Sequence, residues 1–223
     1  KDKLLQGYFN AMIFRDLTDR YKLSNPERAK YLIKRLMAGM TKPASINAIY
    51  NDMRSQGRKV TKDDLYDIAD KTCSIFLLYK VTKFDLSFKK ETSALPKYYC
   101  VDNGLRQSVL LPGKDDDGIL FENAVFLQLL RNLPDGQKIC YYLGAKECDF
   151  VIQTETSVNR LIQVCWDMKD KDTRERELNG IREAATLTGC RDLTIVTRDI
   201  EEDVLDALGI IHIVPAWKWF LGR

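Results

Sequence analysis

The stretches GILFENAVFLQLLRN (118–132), KECDFVIQ (146–153) and RLIQVCWDM (160–168) decide the fold. The first predicts a helix, because its apolar residues recur at helical spacing around Glu122. The other two are short apolar runs of the kind that forms strands. The sequence therefore predicts one acid, Glu122, on a helix and a second, Asp149, on a neighbouring strand.

The third stretch determines what chemistry these acids can support. In QVCW, Gln163 and Cys165 share one face of the predicted strand, and Val164 takes the other. An amide and a thiol carry no charge, so this face of the strand has neither a further carboxylate nor a cation.

Length and composition point to one or two domains without a membrane span. The 223 residues carry a net charge of +3, and no run reaches the length of about 18 apolar residues that a span needs. The six cysteines are scattered and form no C-x-x-C pair, which favours reduced thiols and a cytoplasmic location.

The charge is divided unevenly along the chain. Residues 1–113 hold 21 Lys and Arg against 12 Asp and Glu, a net of +9, and residues 114–223 hold 14 against 20, a net of −6. This asymmetry predicts that the first part meets a polyanion. Dispersed surface charge on an ordinary soluble protein is the alternative.

The first part predicts several helices followed by a hairpin. Ser45 and Thr61 are good caps for two consecutive helices, and the strand-like segments 74–84 and 97–101 flank a basic loop, SFKKETSALP. This order is typical of a winged helix, in which one helix enters the DNA major groove and the wing touches phosphates. The candidate nucleic-acid-binding residues are Arg58, Lys59, Lys62, Lys89 and Lys90. Many such modules bind protein instead.

The rest of the chain predicts a mixed sheet flanked by helices. PGKDDDG (112–118) has the composition of a linker, so the boundary is placed after residue 113. Strands are expected in DLTIVTR and IIHIV, with a short helix in EEDVLDAL between them. The lone His212 is expected to be structural, and Trp166, Trp217 and Trp219 are expected to be core or interface aromatics rather than base-stacking platforms. The predicted class is α+β or α/β: a helical winged-helix module (1–113), then a mixed-sheet domain (114–223).

Together these segments resemble the C-terminal region of a group of prokaryotic AAA-type ATPases, a winged helix followed by a PD-(D/E)xK nuclease-like domain. The residues that carry the resemblance are PKYYCVDNGLRQSV, GILFENAVFLQLLRN, YYLGAKECDFVI, LIQVCWDM and VPAWKWFL. The resemblance spans nearly the whole chain. It implies a restriction-endonuclease-like sheet, and an ATPase domain of the same parent chain, before Lys1, that would hold the ATP. No phosphate-loop pattern occurs in these residues.

The resemblance assigns the site residue by residue. Glu122 and Asp149 match two nuclease acids, whereas Gln163 and Cys165 stand where Glu and Lys belong. The resulting catalytic set, Glu122, Asp149 and Gln163, is degenerate, and Mg²⁺ is expected at Glu122 and Asp149 only weakly.

We therefore expect a DNA-associated accessory region of an ATPase that cleaves poorly. An active Mg²⁺-dependent nuclease with a rearranged site and a protein-interaction module are the alternatives.

Overall fold

The structure, a computed structural model, describes residues 2–23, 25–113 and 116–222. The chain divides into two compact units, and the segment Val81–Ala94, which interrupts the first unit in sequence, belongs to the second. The helical unit contains Lys1–Lys80 and Leu95–Lys114, and the sheet unit contains Val81–Ala94 and Asp115–Arg223. The mixed α/β class predicted from the sequence is confirmed. Residues 114 and 115 of the predicted linker lie outside the described residues.

The helical unit is built from amphipathic helices around one apolar core. They are α1 (Asp2–Ala11), which continues as a π-helical segment (Met12–Asp19), α2 (Pro26–Ala38), α3 (Ile46–Ser55) and α4 (Lys62–Ser74). Leu17, Leu32, Ile33 and Leu65 are completely buried, which removes their apolar surface from water.

The predicted caps fix where α3 and α4 begin. The Ser45 hydroxyl accepts the Ala48 N–H, and the Thr61 hydroxyl accepts the Asp64 N–H. The Asp64 carboxylate accepts the Thr61 N–H in return, which completes a capping box. Residues 56–61 therefore form a defined turn between the two helices.

The expected basic loop is a helix instead. Between β1 (Leu78–Lys83) and β2 (Lys97–Cys100) lies α5 (Phe88–Ser93), which carries Lys89 and Lys90. Within this helix, the Thr92 hydroxyl donates a hydrogen bond to the Phe88 carbonyl. A short helix α6 (Asn103–Val109) follows β2 and is capped by Asp102, whose carboxylate accepts the Leu105 N–H.

The sheet unit contains a mixed sheet between helices. Its further elements are α7 (Asp116–Arg131), β3 (Lys138–Leu143), β4 (Glu147–Gln153), β5 (Val158–Cys165), α8 (Lys171–Thr188), β6 (Leu193–Thr197), β7 (Glu202–Asp206), β8 (Gly209–Pro215) and α9 (Ala216–Phe220). Within this unit the strands lie in the order β1-β3-β4-β5-β6-β8-β7. The pairs β1–β3, β5–β6 and β6–β8 are parallel, and β3–β4, β4–β5 and β7–β8 are antiparallel.

Each face of this sheet has its own helix. Val151 and Leu161 are buried in one apolar cluster with Leu178 of α8. Phe150 points to the opposite face, where its ring lies 6.2 Å from that of Phe126 on α7. The sheet is therefore covered by α8 on the Val151 face and by α7 on the Phe150 face.

One predicted helix, EEDVLDAL, is wrong, because these residues form β7. The strand pairs antiparallel with β8 through Asp203↔His212 and Val204↔Ile211, and the chain reverses at Gly209 with φ +127°. Sheet pairing here overrides a weak local helix preference. His212 is consequently an exposed residue near the sheet edge rather than a core histidine.

No helix in the described ranges combines the length and the apolar content that crossing a membrane requires.

Candidate functional site

The predicted site residues on β4 and β5 lie next to each other where the β4–β5 ladder ends. Beyond the pair Phe150↔Ile162, hydrogen bonds between side chains and backbone N–H groups connect the two strands. The Asp149 carboxylate accepts the Val164 N–H at 2.9 Å, and the Gln163 side-chain carbonyl accepts the Asp149 N–H at 3.0 Å. Asp149 and Gln163 are both buried. The structure therefore brings these two predicted residues into direct contact.

A third residue, Glu177 on α8, joins this pair and was not identified from the sequence. Its buried carboxylate accepts a hydrogen bond from the Gln163 Nε2. Its other oxygen accepts two bonds from the Arg176 guanidinium, at 2.7 and 3.0 Å. The sequence held one clue: Glu177 lies four and seven residues before the buried Ile181 and Ala184, so it occupies a core position of the helix.

Gly180 explains how α8 comes so close to the strands. A Cβ at this position would lie 2.1 Å from the Glu147 carbonyl oxygen and 3.9 Å from the Gln163 Oε1. Glycine is therefore required for this approach, which carries Glu177, one turn earlier, to the Gln163 amide.

Cys165 has the neutral thiol that the sequence predicted. Burial raises its pKa to about 12, and repulsion from the Glu177 and Asp149 carboxylates adds to the effect, whereas Arg176 opposes it. The thiol donates to the Asp167 carbonyl at 3.3 Å. Cys165 therefore supplies no cation to the site.

Glu122 lies on α7, as predicted, and is half-buried. It is one turn before Phe126, the residue that contacts Phe150, and next to Phe121, whose ring meets Trp166 at 5.4 Å. Its helix thus covers the Phe150 face of the sheet. The pairing of Glu122 with Asp149 around a metal ion stays a prediction.

The buried donor set around Gln163 fits a magnesium ion poorly. The Gln163 carbonyl and one Asp149 oxygen already accept backbone N–H groups, and Glu177 is neutralised by Arg176. In the described residues, no group of three or more His, Cys, Asp or Glu is arranged to hold a metal ion. These polar groups already have hydrogen-bond partners within the protein.

The predicted nucleic-acid residues of the helical unit surround the turn between α3 and α4. Arg58, Lys59 and Lys62 are all exposed. The Arg58 guanidinium lies 4.3 Å from the ring centroid of Tyr31, and the Lys62 ammonium 5.5 Å from that of Tyr50. The aromatic rings hold both cations at the surface while leaving them solvated.

Arg28 on α2 holds this turn in place and was also missed by sequence reasoning. Its guanidinium donates to the Lys59 carbonyl and to the Asp64 carboxylate, both at 2.9 Å. Next to it lies a concavity of about 340 Å³. This concavity is lined by Arg28, Arg54, Lys59, Val60, Thr61 and Asp64. We call the exposed cations Arg54, Arg58, Lys59 and Lys62 the turn cluster.

The two remaining predicted residues, Lys89 and Lys90, belong to the sheet unit. Both are exposed on α5. Together with a hydrogen bond from the Ser87 N–H and the ammonium of Lys83, Lys90 helps to hold the pKa of Asp85 below its usual range. The five predicted cations are therefore divided between the two units.

The described residues form a mixed α/β chain of two units, with exposed cations around the α3–α4 turn and a buried polar cluster beyond the end of the β4–β5 ladder. The chain belongs to the family described as "Domain of unknown function (DUF8612)", which matches residues 1–116. It is 28% identical over 229 residues to "Uncharacterized protein MJ1544" of Methanocaldococcus jannaschii, covering 99% of this chain and 50% of that protein. It is 23% identical over 222 residues to an "Uncharacterized protein" of Haemophilus influenzae, covering 99% and 52%.

The chain thus spans about half the length of these two relatives. No solved structure is significantly similar to it.

Proposed function

We propose that this chain is a DNA-associated accessory region of a cytoplasmic prokaryotic AAA-type ATPase, in which a winged-helix module binds duplex DNA without base specificity. The turn cluster carries this proposal. Its cations stand around a helix–turn–helix corner whose geometry is fixed by the Thr61 capping box and by Arg28. Cations on long side chains around such a corner suit contacts to phosphates.

The sheet unit has the role of a nuclease-like domain that positions nucleic acid and does not cleave it efficiently. Its Asp149, Gln163 and Glu177 side chains are hydrogen-bonded to protein groups. The neutral Cys165 cannot stabilise the charge that develops on a phosphate during hydrolysis.

The proposal of an ATPase partner is supported by the length of the two relatives and by the resemblance of the chain to the C-terminal region of AAA-type ATPases. Both relatives are about twice as long as the matched region, which leaves room for a further domain in each. We propose that ATP is bound in that domain and that this chain supplies it with a DNA contact.

Salt-dependent binding tests the proposal. The dissociation constant of the chain for a duplex of random sequence is measured by fluorescence anisotropy over a range of salt concentrations. Replacing Arg58, Lys59 and Lys62 together by Ala should lower the slope of log K against log salt by about 0.9 for each phosphate that is no longer neutralised. Replacing Lys89 and Lys90 reports separately on α5.

A matched control removes the same charge elsewhere in the helical unit. Lys3, Arg20 and Lys42 are exposed cations outside the α3–α4 turn. Their replacement by Ala should leave the slope nearly unchanged if the turn cluster is the interface. Equal effects of both triple variants would indicate general attraction by net charge, and absence of binding at low salt would refute DNA association.

A protein-interaction module is the second candidate, and Phe76 favours it. This residue follows α4 in a left-handed conformation with φ +59°, where Gly is usual, yet its side chain is 65% exposed. A strained backbone that displays an exposed aromatic ring is typical of a binding position. Phe76→Ser should weaken protein binding and leave the salt slope for DNA unchanged.

A further inference from the structure

A cavity of about 730 Å³ lies on the Phe150 face of the sheet unit and has no part in the proposed DNA contact. It is bounded by the end of α7 and the turn after it, by the starts of β5, β6 and β8, and by α9. This volume is typical of pockets that hold a small organic ligand.

The strand floor of the cavity presents an oriented histidine. Thr194 on β6 is in register with His212 on β8, which is in register with Asp203 on β7. The His212 Nδ1 lies 2.8 Å from an Asp203 carboxylate oxygen. That contact favours the proton on Nδ1, which leaves Nε2 as a hydrogen-bond acceptor.

Two side-chain amides are available to a ligand. Gln137 and Asn159 line the cavity, and within the described part of the chain their side chains have no hydrogen-bond partner. Each amide offers a donor and an acceptor at neighbouring positions. Such a pair matches the edge of a nucleobase, as when Asn or Gln reads adenine.

The opposite side of the cavity is aromatic. Trp219 and Phe220 line it, with ring centroids 5.4 Å apart in an edge-to-face arrangement. The Gln128 side chain donates to the Phe220 carbonyl at 3.1 Å and so fixes α9 against α7. Aromatic rings of this kind stack on planar heterocycles.

The charges in the cavity indicate a neutral ligand. Arg160 and Asp192 both line it and pair with each other at 3.0 Å, so the lining cations and anions cancel. A phosphate would have to displace Asp192 from this ion pair. A neutral ring with donor and acceptor groups meets no such cost.

We propose that this cavity binds a nucleobase, with the ring against Trp219 and its polar edge against Gln137, Asn159 and His212. The base belongs to a free nucleoside or to an unpaired nucleotide of a strand. This proposal is independent of the proposed duplex contact. The turn cluster is proposed to contact phosphates, and a nucleoside has none.

Calorimetric titration of the full chain with adenosine tests this site. We expect saturable binding at a dissociation constant of about 1 mM or below, and about tenfold weaker binding for Gln137→Leu and for Asn159→Leu. The matched control is Gln107→Leu, an exposed glutamine of the helical unit, which should bind adenosine as the wild type does.

A second titration identifies the source of the base. A short single strand that carries one adenine among abasic positions should compete with adenosine in either case, and tighter binding of the strand indicates a nucleic-acid ligand. The proposal is overturned if adenosine does not bind at about 5 mM, well above this range. It is equally overturned if both Leu variants bind adenosine as the wild type does, because Gln137 and Asn159 would then not recognise the base.

Discussion

Replacing Gln163 by Glu restores the carboxylate of the nuclease pattern, and we expect it to destabilise the protein. In the wild type, the Gln163 Nε2 donates to the Glu177 carboxylate, and both residues are buried. A glutamate at this position has no donor in its ionised form. It would face Glu177 with a second negative charge at hydrogen-bond distance.

The cost follows from these two effects. A buried hydrogen bond to a charged group contributes about 1.5–3 kcal/mol, and an uncompensated buried charge costs about 3–5 kcal/mol. Arg176 neutralises part of the excess charge, because it forms a salt bridge with Glu177 at 2.7 Å. We therefore expect a loss of about 3 kcal/mol, a large part of the roughly 5–15 kcal/mol that holds a domain folded.

The loss of folding stability in Gln163→Glu should become smaller as the pH falls. In the variant, the two carboxyl groups share a proton, so the folded pair titrates with a pKa above that of an unfolded Glu, about 4.3. The folded state then binds more protons than the unfolded state, and acid favours folding. The stability deficit of Gln163→Glu should therefore be larger at about pH 7.5 than at about pH 4.5.

Urea unfolding followed by circular dichroism measures this effect at about pH 7.5 and about pH 4.5. Adding Glu177→Gln reverses the hydrogen bond, because the new amide can donate to the carboxylate introduced by Gln163→Glu, and should recover at least half of the loss. The reasoning is refuted if Gln163→Glu unfolds within about 0.5 kcal/mol of the wild type at the higher pH. A deficit independent of pH would point to packing instead of charge.

Three further outcomes follow from single positions. Gly180→Ala should cost about 3 kcal/mol or prevent folding, because its Cβ would lie 2.1 Å from the Glu147 carbonyl, whereas Gly7→Ala, with nothing within 4 Å, should raise the melting temperature slightly. Phe76→Gly should stabilise the protein by about 1 kcal/mol in urea unfolding, since its φ of +59° suits glycine; a loss of stability would show that the ring packs on the fold. Cys165, with its pKa raised to about 12 by burial, should resist a thiol reagent at about pH 8 until urea unfolds the chain, and fast labelling would contradict that burial.

Local signals in the sequence identified most of the elements of the fold. Ser45 and Thr61 each precede a helix and accept the N–H three residues later, as predicted. The direct contact of Asp149 and Gln163 followed from two short apolar runs with a tight connection. These features depend on residues within a few positions of each other.

The missed features depend on residues far apart in sequence. Glu177 reaches Gln163 only because Gly180 lets α8 approach the Glu147 carbonyl, and no local pattern encodes that approach. The segment of β7 resembles a helix in composition and becomes a strand by pairing with β8. The position of Arg28 depends on the Lys59 carbonyl, which lies in a different helix–helix connection. Tertiary contacts decide each of these cases.

The polar cluster contains a carboxylate and a cation, but neither is at residue 163 or 165. The nuclease pattern that the sequence resembles has a carboxylate at the position of residue 163 and a cation at that of residue 165. This chain instead has the carboxylate of Glu177 and the cation of Arg176, both on α8. The Arg176 side chain is 64% exposed, but its charge is paired with the Glu177 carboxylate. The carboxylate is bonded to Gln163 and Arg176, so it is not available to a metal ion. Asp149 and Glu177 face the single cation Arg176, so the cluster has no surplus positive charge for a phosphate, and the proposed contact with nucleic acid rests on the turn cluster instead.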